Sequence, residues 1–180
     1  MNFKASATFA YLNTVFSAEC RAYTKYMLYS RKAGRDGFPQ ISAIFREIAQ
    51  NELNHAKTVY MLLNSLDTLP YTSRNLQQAA ACEKYESEIM YKKLAVTAAD
   101  EGFANVSAIA QKLADTEHSH MNIFEKLAEN MDSAKLFCKD EKQKWICRLC
   151  GYEIYDWCSP QKCPLCSARQ DYFQIKAENY

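Results

Sequence analysis

Glycine and proline are scarce in this sequence of 180 residues, which has four of each. Because these two residues interrupt helices most strongly, long stretches without them can remain helical. Five of them divide positions 1 to 131 into four long segments: Gly34, Gly37, Pro39, Pro70 and Gly102. We therefore predict four helices, from Ser6 to Ala33, Pro39 to Ser65, Arg74 to Glu101 and Phe103 to Asn130.

The sequence also lacks an excess of charge and a long apolar run. Its 22 Lys and Arg and 21 Asp and Glu leave a net charge of +1, which gives no electrostatic basis for binding nucleic acid or an anionic membrane. No uncharged apolar run approaches the roughly 20 residues that span a bilayer. Asn13, Thr14 and Glu19 interrupt the apolar N-terminal segment, so it does not resemble a signal peptide. We expect a soluble, globular, cytoplasmic protein.

Each predicted helix carries an apolar stripe that is interrupted by ionisable residues. In the second helix, Ile41, Phe45 and Ile48 begin a stripe with spacings of three and four residues. Charged groups in the core of a bundle are costly unless they are compensated, so these positions are expected to bind cations. The ionisable residues on the four stripes are Glu19, Glu52, His55, Glu83, Glu86, Glu117 and His120.

Two Glu-x-x-His pairs stand on these stripes, Glu52 with His55 and Glu117 with His120. The spacing of three places both side chains of a pair on one helix face. Ferritin-like carboxylate proteins use two such helices and a Glu from each of the other two, which the first and third helices supply here. Carboxylates with imidazoles favour iron or manganese. One pair alone arises often by chance, but two pairs on apolar stripes predict a two-metal site.

Two tyrosines lie close to the predicted ligands. Tyr26 follows Glu19 by seven residues, and Tyr91 follows Glu83 by eight. A packed core aromatic is the default interpretation of each, and a hydrogen-bonding or radical-quenching tyrosine is the alternative. The third histidine, His118, lies off its stripe and is expected to be exposed.

Four of the eight cysteines form two Cys-x-x-Cys pairs. In a reducing compartment this spacing favours a metal over disulfides, and four thiolates can surround one zinc or iron ion. The segment 145–180 is too short to fold on a hydrophobic core alone, so a metal is expected to hold it together. The predicted ligands are Cys147, Cys150, Cys163 and Cys166. The other cysteines lack a partner at this spacing and are expected to be buried or idle thiols; they are Cys20, Cys82, Cys138 and Cys158.

The cysteine pairs occur in the segments CRLCGY and CPLC, which resemble rubredoxin. Aromatic residues flank them, as in that family: Trp145, Tyr155, Trp157, Tyr172 and Phe173. The resemblance favours iron, with zinc as the alternative in purified protein. One departure is Ser167, which replaces the glycine common after the last cysteine of rubredoxins.

Over nearly its whole length the sequence resembles the rubrerythrin family. The segments that carry the resemblance are FSAECRAYTKY, QNELNHA, CEKYESEIMY, DEGF and DTEHSH. It implies a mainly α protein with a ferritin-like four-helix bundle at 1–131, a linker at 132–144 and a small rubredoxin-like domain at 145–180. It also implies that the seven ionisable residues of the stripes bind two iron ions, and that the four paired cysteines bind a third.

The resemblance further implies an activity, the reduction of hydrogen peroxide to water in oxidative-stress defence. Electrons would come from a reductase or a separate rubredoxin and pass through the rubredoxin-type iron. In the family one iron exchanges a Glu for a His on reduction, and Glu86 and His55 match those positions. With Tyr26 and Tyr91 they are the expected catalytic residues. The alternatives are an iron-oxidising or iron-handling protein, and a zinc-ribbon interaction protein with a structural bundle.

The connection between the second and third helices is short. Only 28 positions separate His55 from Glu83 (83 minus 55), although these helices run parallel in a ferritin-like bundle and the chain must return along the bundle between them. A domain-swapped homodimer with a hinge near Leu69 and Pro70 removes this difficulty. We therefore expect a homodimer in which the first two helices of one chain complete a bundle with the last two of the other.

Overall fold

The computed structural model describes residues 2–65 and 68–177. The chain divides between Leu69 and Pro70 into two compact units. Among the described residues, no helix is long and apolar enough to cross a membrane. The helices are α1 (Ala7–Arg35), α2 (Pro39–Leu63), α3 (Thr72–Tyr85), α4 (Tyr91–Asp100) and α5 (Ala104–Asp132).

The first unit is a hairpin of α1 and α2. The hydroxyl of Ser6 accepts a hydrogen bond from the backbone N–H of Phe9 (3.1 Å) and so caps the start of α1. Gly37 has a φ of 85°, a conformation that glycine adopts readily, in the turn between the two helices. The hydroxyl of Ser30 donates to the carbonyl oxygen of Ser42 across the helix pair (2.8 Å). The seam is lined by small buried residues, so the helices approach closely: Ser30, Ala33, Ser42, Ala49 and Ala56.

In the second unit, α3 and α4 pack against α5. They form one continuous rod because a π-helical turn, Glu86–Met90, joins them. Here too the buried residues are mainly small, among them Ala80, Ser87, Ala95, Ala98, Ser107, Ala110 and Ala114. The four predicted helices are confirmed, and the π turn is an additional feature within the third.

Many of the large apolar residues on the predicted stripes are exposed in the single chain. Leu62 is 55% exposed and Leu113 is 36% exposed, and Ile41, Ile48 and Leu127 fall between them. The prediction that they are buried is wrong for one chain, because Ala and Ser fill the seams between helices while the larger side chains lie to one side. Each unit therefore presents an apolar face.

The end of the second unit is a small antiparallel sheet with strand order β2-β1-β3. Its strands are β1 (Cys138–Cys147), β2 (Glu153–Cys158) and β3 (Phe173–Ile175). Trp145 is fully buried in a cluster with Phe173 and two of the paired cysteines, Cys147 and Cys163. The other three flanking aromatic residues are exposed: Tyr155, Trp157 and Tyr172. Strand β1 begins inside the segment that was predicted to be a linker.

Candidate metal centres

The first unit brings together Glu19 of α1 with Glu52 and His55 of α2, with ligand atoms within 4.8 Å of one another. The Nδ1 atom of His55 lies 3.0 Å from Oε2 of Glu52 and 3.8 Å from Oε2 of Glu19. A hydrogen bond between the two carboxyl groups raises the pKa of Glu19, with burial as a second cause, and the same bond lowers the pKa of Glu52. The two carboxyl groups are therefore close enough for the charge state of one to affect that of the other.

The second unit repeats this arrangement with Glu83 of α3 and with Glu117 and His120 of α5. Nδ1 of His120 lies 2.7 Å from Oε2 of Glu117 and 3.6 Å from Oε2 of Glu83. Burial raises the pKa of Glu83 most, followed by a hydrogen bond with Glu117 and the charge of that carboxylate. Each unit thus carries the same chemical set of two carboxylates and one imidazole.

The donor atoms fit a hard metal ion. Oε2 of Glu83 is buried and has no hydrogen-bond partner, which is costly for a carboxylate unless a cation binds it. Oxygen and imidazole donors are those that iron and manganese use in two-metal sites. Each of the two groups offers three protein ligands of this kind.

The third group is the four paired cysteines, all with sulfur atoms within 4.8 Å of one another. The sulfur of Cys147 lies 3.8 Å from that of Cys166, and Cys150 lies 3.5 Å from Cys163. The two knuckles have the same backbone pattern, since Gly151 N–H donates to Cys147 and the Ser167 N–H to Cys163, both at 2.9 Å. Four sulfurs at these separations fit one tetrahedral ion.

Comparison with known proteins agrees with both kinds of site. A family model described as rubrerythrin matches residues 10–128, and one described as the rubredoxin-like domain of rubrerythrin matches residues 145–174. The chain belongs to the rubrerythrin family.

Several curated rubrerythrins match over almost their whole length. Rubrerythrin-1 of Clostridium acetobutylicum is 37% identical, and the match covers 98% of both chains. Rubrerythrin of Clostridium perfringens is 36% identical with the same coverage. Rubrerythrin of Porphyromonas gingivalis is 31% identical over 98% of this chain and 94% of its own. The residues of a di-iron carboxylate site and of a rubredoxin-like tetracysteine site are therefore both present in a rubrerythrin-family chain.

Two further predicted site residues, Glu86 and Tyr91, lie near the carboxylate group of the second unit. Glu86 is the first residue of the π turn and lies close enough to Glu83 for its charge to raise the pKa of that carboxyl group. The pKa of Tyr91 is raised, first by burial and then by the charges of Glu117, Glu86 and Glu83. Tyr91 therefore lies beside the second carboxylate group and keeps its phenolic proton.

Tyr26 lies in an aromatic cluster of the first unit. Its ring centroid is 6.2 Å from that of Phe45 and 6.4 Å from that of Tyr29. This packing agrees with the default interpretation of a core aromatic, and a catalytic role of Tyr26 stays a prediction. His118 is exposed, as its position off the stripe predicts.

The thiols of the rubredoxin-like site differ in acidity. Burial opposes ionisation of Cys163, but the backbone N–H groups of Cys166 and Leu165 and two neighbouring thiols lower its pKa to about 7. At Cys150 the N–H of Tyr152 favours the thiolate, but burial and the other three thiols raise the pKa to about 12. The lowered pKa of Cys163 favours its thiolate, which is the form of cysteine that binds a metal ion.

Two of the cysteines that were predicted to be single thiols are bonded to each other. Cys138 and Cys158 form a disulfide, so that prediction is wrong for this pair. Motif spacing does not show the bond, because the two residues are 20 positions apart and meet only as partners across strands β1 and β2. Cys20 and Cys82 are free thiols and exposed, not buried.

Replacing Ser167 with glycine is expected to stabilise the rubredoxin-like domain. Ser167 has a φ of 61°, in the left-handed region that costs a residue with a β carbon about 1 kcal/mol or more. The larger conformational entropy of glycine in the unfolded chain offsets part of the gain, which leaves a stabilisation of about 0.5 kcal/mol. The measurement is the rate of ion release to a chelator, which should fall in Ser167→Gly. Ser167→Ala is the matched control, since it keeps the β carbon and should release the ion as fast as wild type.

Proposed function

We propose that this rubrerythrin-family chain is a di-iron peroxidase that reduces hydrogen peroxide to water, with electrons relayed from a reductase or rubredoxin through the tetracysteine iron. The observation that carries the proposal is the presence in one chain of carboxylate and imidazole groups that suit a reacting iron pair and a tetrathiolate group that suits electron transfer. When bound, the iron pair would supply two electrons and Lewis acidity for cleavage of the O–O bond.

The protein residues would bind the ions and handle protons. Glu19, Glu52 and His55 of one unit, and Glu83, Glu117 and His120 of the other, are the proposed ligands, with Glu86 as a seventh. Conversion of peroxide to two waters consumes two protons. Tyr91, which keeps its proton beside Glu117 and Glu86, can donate a hydrogen bond toward these carboxylates, and Glu86 can receive and pass on a proton there.

The seventh ligand makes a change of coordination feasible. Glu86 begins a π turn, in which one extra residue widens the helix and leaves its hydrogen bonding irregular; such turns are frequent at functional sites. We propose that Glu86 and His55, which match the exchanging positions of the family, would be the two alternative ligands of one iron ion.

Iron oxidation without an external electron supply is the second candidate function. The same carboxylate groups suit it, since ferrous ion would then be the substrate. An electron-transfer module would have no role in that reaction, and the rubredoxin-like domain therefore favours the peroxidase.

We also propose that each di-iron site forms between two chains. In a ferritin-like bundle α2 and α3 run parallel, so the connection must return along the bundle. His55 is eight residues before the end of α2 at Leu63 (63 minus 55), and Glu83 is eleven residues after the start of α3 at Thr72 (83 minus 72). At about 1.5 Å per residue, the connection would have to span roughly 29 Å along the axis to align them within one chain.

The connection is too short for that span. The N–H groups of Asn64 and Ser65 donate to Tyr60 and Leu62, so the chain is still turning at these positions and gains no length there. Seven residue steps remain from Ser65 to Thr72, and even fully extended they reach at most about 25 Å. Leu66 and Asp67 of this connection lie outside the described residues, and the limit applies whatever their conformation. Pairing with the complementary unit of a second copy requires no such span.

The exposed apolar faces of the two units support a second copy as the partner. In the first unit Ile48 is 41% exposed, and in the second Leu113 is 36% exposed; each stands four residues before a metal-binding Glu on the same helix stripe. Pairing with a second copy would therefore cover these faces and complete the ligand groups at the same time. The division of the chain between Leu69 and Pro70 coincides with the hinge expected from the sequence.

Stopped-flow spectroscopy under anaerobic conditions tests the peroxidase. The iron-loaded, fully reduced protein is mixed with hydrogen peroxide, and the absorbance of the tetrathiolate iron is followed. We expect reoxidation of this chromophore at a rate that depends on an intact carboxylate site, because the electrons would leave through that site. A Glu117→Ala protein should reoxidise at least about a hundredfold more slowly. Equal rates in the two proteins would refute the proposal.

A further inference from the structure

The Cys138–Cys158 disulfide lies at one end of the rubredoxin-like domain. It joins the first residue of β1 to the last residue of β2. The loop that it closes contains the first cysteine knuckle, with Cys147 and Cys150, but neither bonded sulfur belongs to the tetracysteine group. The disulfide is therefore a second sulfur site in this domain, and its two sulfurs are not among the proposed metal ligands.

Regular strand pairing does not hold the disulfide end of the sheet. After the pair Cys138 and Cys158, the register shifts, and regular pairing resumes only at Gln143 and Asp156. Beyond the disulfide, the N–H of Ser159 donates to the carbonyl oxygen of Phe137 (2.9 Å). Reduction of the disulfide would therefore remove the covalent link beside the segment 139–142. The regular strand pairing that begins at Gln143 and Asp156 would remain.

The two cysteines differ in exposure. Cys158 is exposed, whereas Cys138 is partly buried. A small oxidant or a reducing thiol therefore reaches Cys158 first, and Cys138 is positioned as the thiol that completes the bond. An exposed reactive cysteine with a resolving partner beside it is the arrangement found in redox-responsive cysteine pairs.

We propose that Cys138 and Cys158 are a peroxide-responsive dithiol that cycles between open and disulfide-bonded forms and fastens the start of β1 to the end of β2. The proposal goes beyond the peroxidase activity and does not rest on it, because peroxide acts here directly on protein thiols. A tetracysteine ion would be held by other residues, so we expect it to be retained in both forms.

The reaction balances with one peroxide per disulfide. The thiolate of Cys158 attacks one peroxide oxygen, the O–O bond breaks, and the leaving hydroxide takes the thiol proton to become water, which gives a sulfenic acid. The thiolate of Cys138 then attacks the Cys158 sulfur, the S–O bond breaks, and hydroxide leaves with the second thiol proton as water. Two sulfurs are oxidised by two electrons in total. A small dithiol reverses the reaction by returning two electrons and two protons.

The test uses the iron-loaded full chain without any variant. The protein is treated with dithiothreitol, desalted under anaerobic conditions, and divided into samples with and without excess hydrogen peroxide. Each is then denatured and alkylated. We expect eight alkylated cysteines in the reduced sample and six (eight minus two) in the oxidised one, with a peptide linked through Cys138 and Cys158. A bond that persists in dithiothreitol, or thiols that stay open in peroxide, would overturn the proposal.

Two variants test the order of the steps. In Cys138→Ser, peroxide should leave a sulfenic acid on Cys158 that dimedone traps, whereas Cys158→Ser should give little adduct at Cys138. Cys20→Ser/Cys82→Ser is the matched control and should form the cross-link as wild type does. His120→Ala should also form it, so failure of the peroxidase leaves this result unaffected.

Limited trypsin digestion provides a structural readout. Lys139 and Lys142 lie in the segment that the disulfide anchors, and their cleavage is expected to be roughly tenfold faster in the dithiol form because local opening becomes easier. In Cys138→Ser/Cys158→Ser the rate should be high in both redox conditions. Equal cleavage of the two wild-type forms would show that the bond does not fasten this segment.

Discussion

Co-expression of two inactive variants is expected to restore about one quarter of wild-type peroxidase activity. Glu52→Ala destroys the ligand group of the first unit, and Glu117→Ala destroys that of the second. In a domain-swapped heterodimer, one site receives both damaged groups and the other receives both intact groups. Random pairing makes half of the dimers heterodimers, and half of their sites are complete, which gives the quarter.

The control is co-expression of Glu52→Ala with His55→Ala, in which both defects lie in the same ligand group. Every site then contains one damaged group, whichever chains pair, so no activity should return. Iron bound beyond the one tetracysteine ion expected per chain, measured on the purified dimers, should follow activity in both experiments. If the first mixture is as inactive as the second, each bundle is completed within one chain and the swap is wrong.

The second large effect is expected from His120→Ala, compared with His118→Ala on the same helix. Both histidines are exposed in the single chain. His120 lies on the stripe with its Nδ1 atom 2.7 Å from Oε2 of Glu117 and 3.6 Å from Oε2 of Glu83, whereas His118 lies off the stripe. Loss of the proposed ligand His120 should lower iron affinity and peroxide turnover at least about a hundredfold, which exceeds the usual effect of removing a residue that only orients a ligand.

His118→Ala should keep wild-type turnover and iron content, since it removes an imidazole of the same size two residues away. The tetrathiolate absorbance should be unchanged in both proteins, which separates damage at the carboxylate site from general unfolding. Similar losses in the two variants would mean that His120 has no special part in binding iron.

Much of the helical architecture was predictable because its signals are local. Helix boundaries follow from breakers such as Pro39 and Gly102, and the ligand faces follow from spacings of three and four residues. The close groups Glu19 with Glu52 and Glu83 with Glu117 were expected for the same reason, since the ligands occupy the middle of each stripe.

The π turn had only a weak signal in the sequence. In the third predicted helix, Glu86, Met90 and Leu94 follow one another by four residues each, where spacings of three and four alternate elsewhere. Two successive spacings of four residues also occur in ordinary α-helices, so they do not by themselves predict a π turn. The position of Glu86 at this irregularity emerges only from the backbone.

Burial and the disulfide depended on long-range information. Spacing predicts which residues share a face, but not that Ala49 and Ala56 would fill the seam while Ile48 stays exposed. In the same way, Cys138 meets Cys158 because of the strand register and a shift in it. Neither the burial pattern nor the disulfide follows from a periodic spacing in the sequence. Both are therefore seen only in the three-dimensional structure.

The two tryptophans of the chain stand beside different sulfur sites. Trp145 is fully buried in the cluster that contains Cys147 and Cys163, where a coloured iron–thiolate centre would quench its fluorescence by energy transfer. Trp157 is half exposed and directly precedes Cys158, and a neighbouring disulfide also quenches indole emission. Since a buried indole emits at shorter wavelength than an exposed one, metal loading is expected to change the blue side of the natural fluorescence spectrum most. At constant metal loading, a change on its red side would report thiol oxidation.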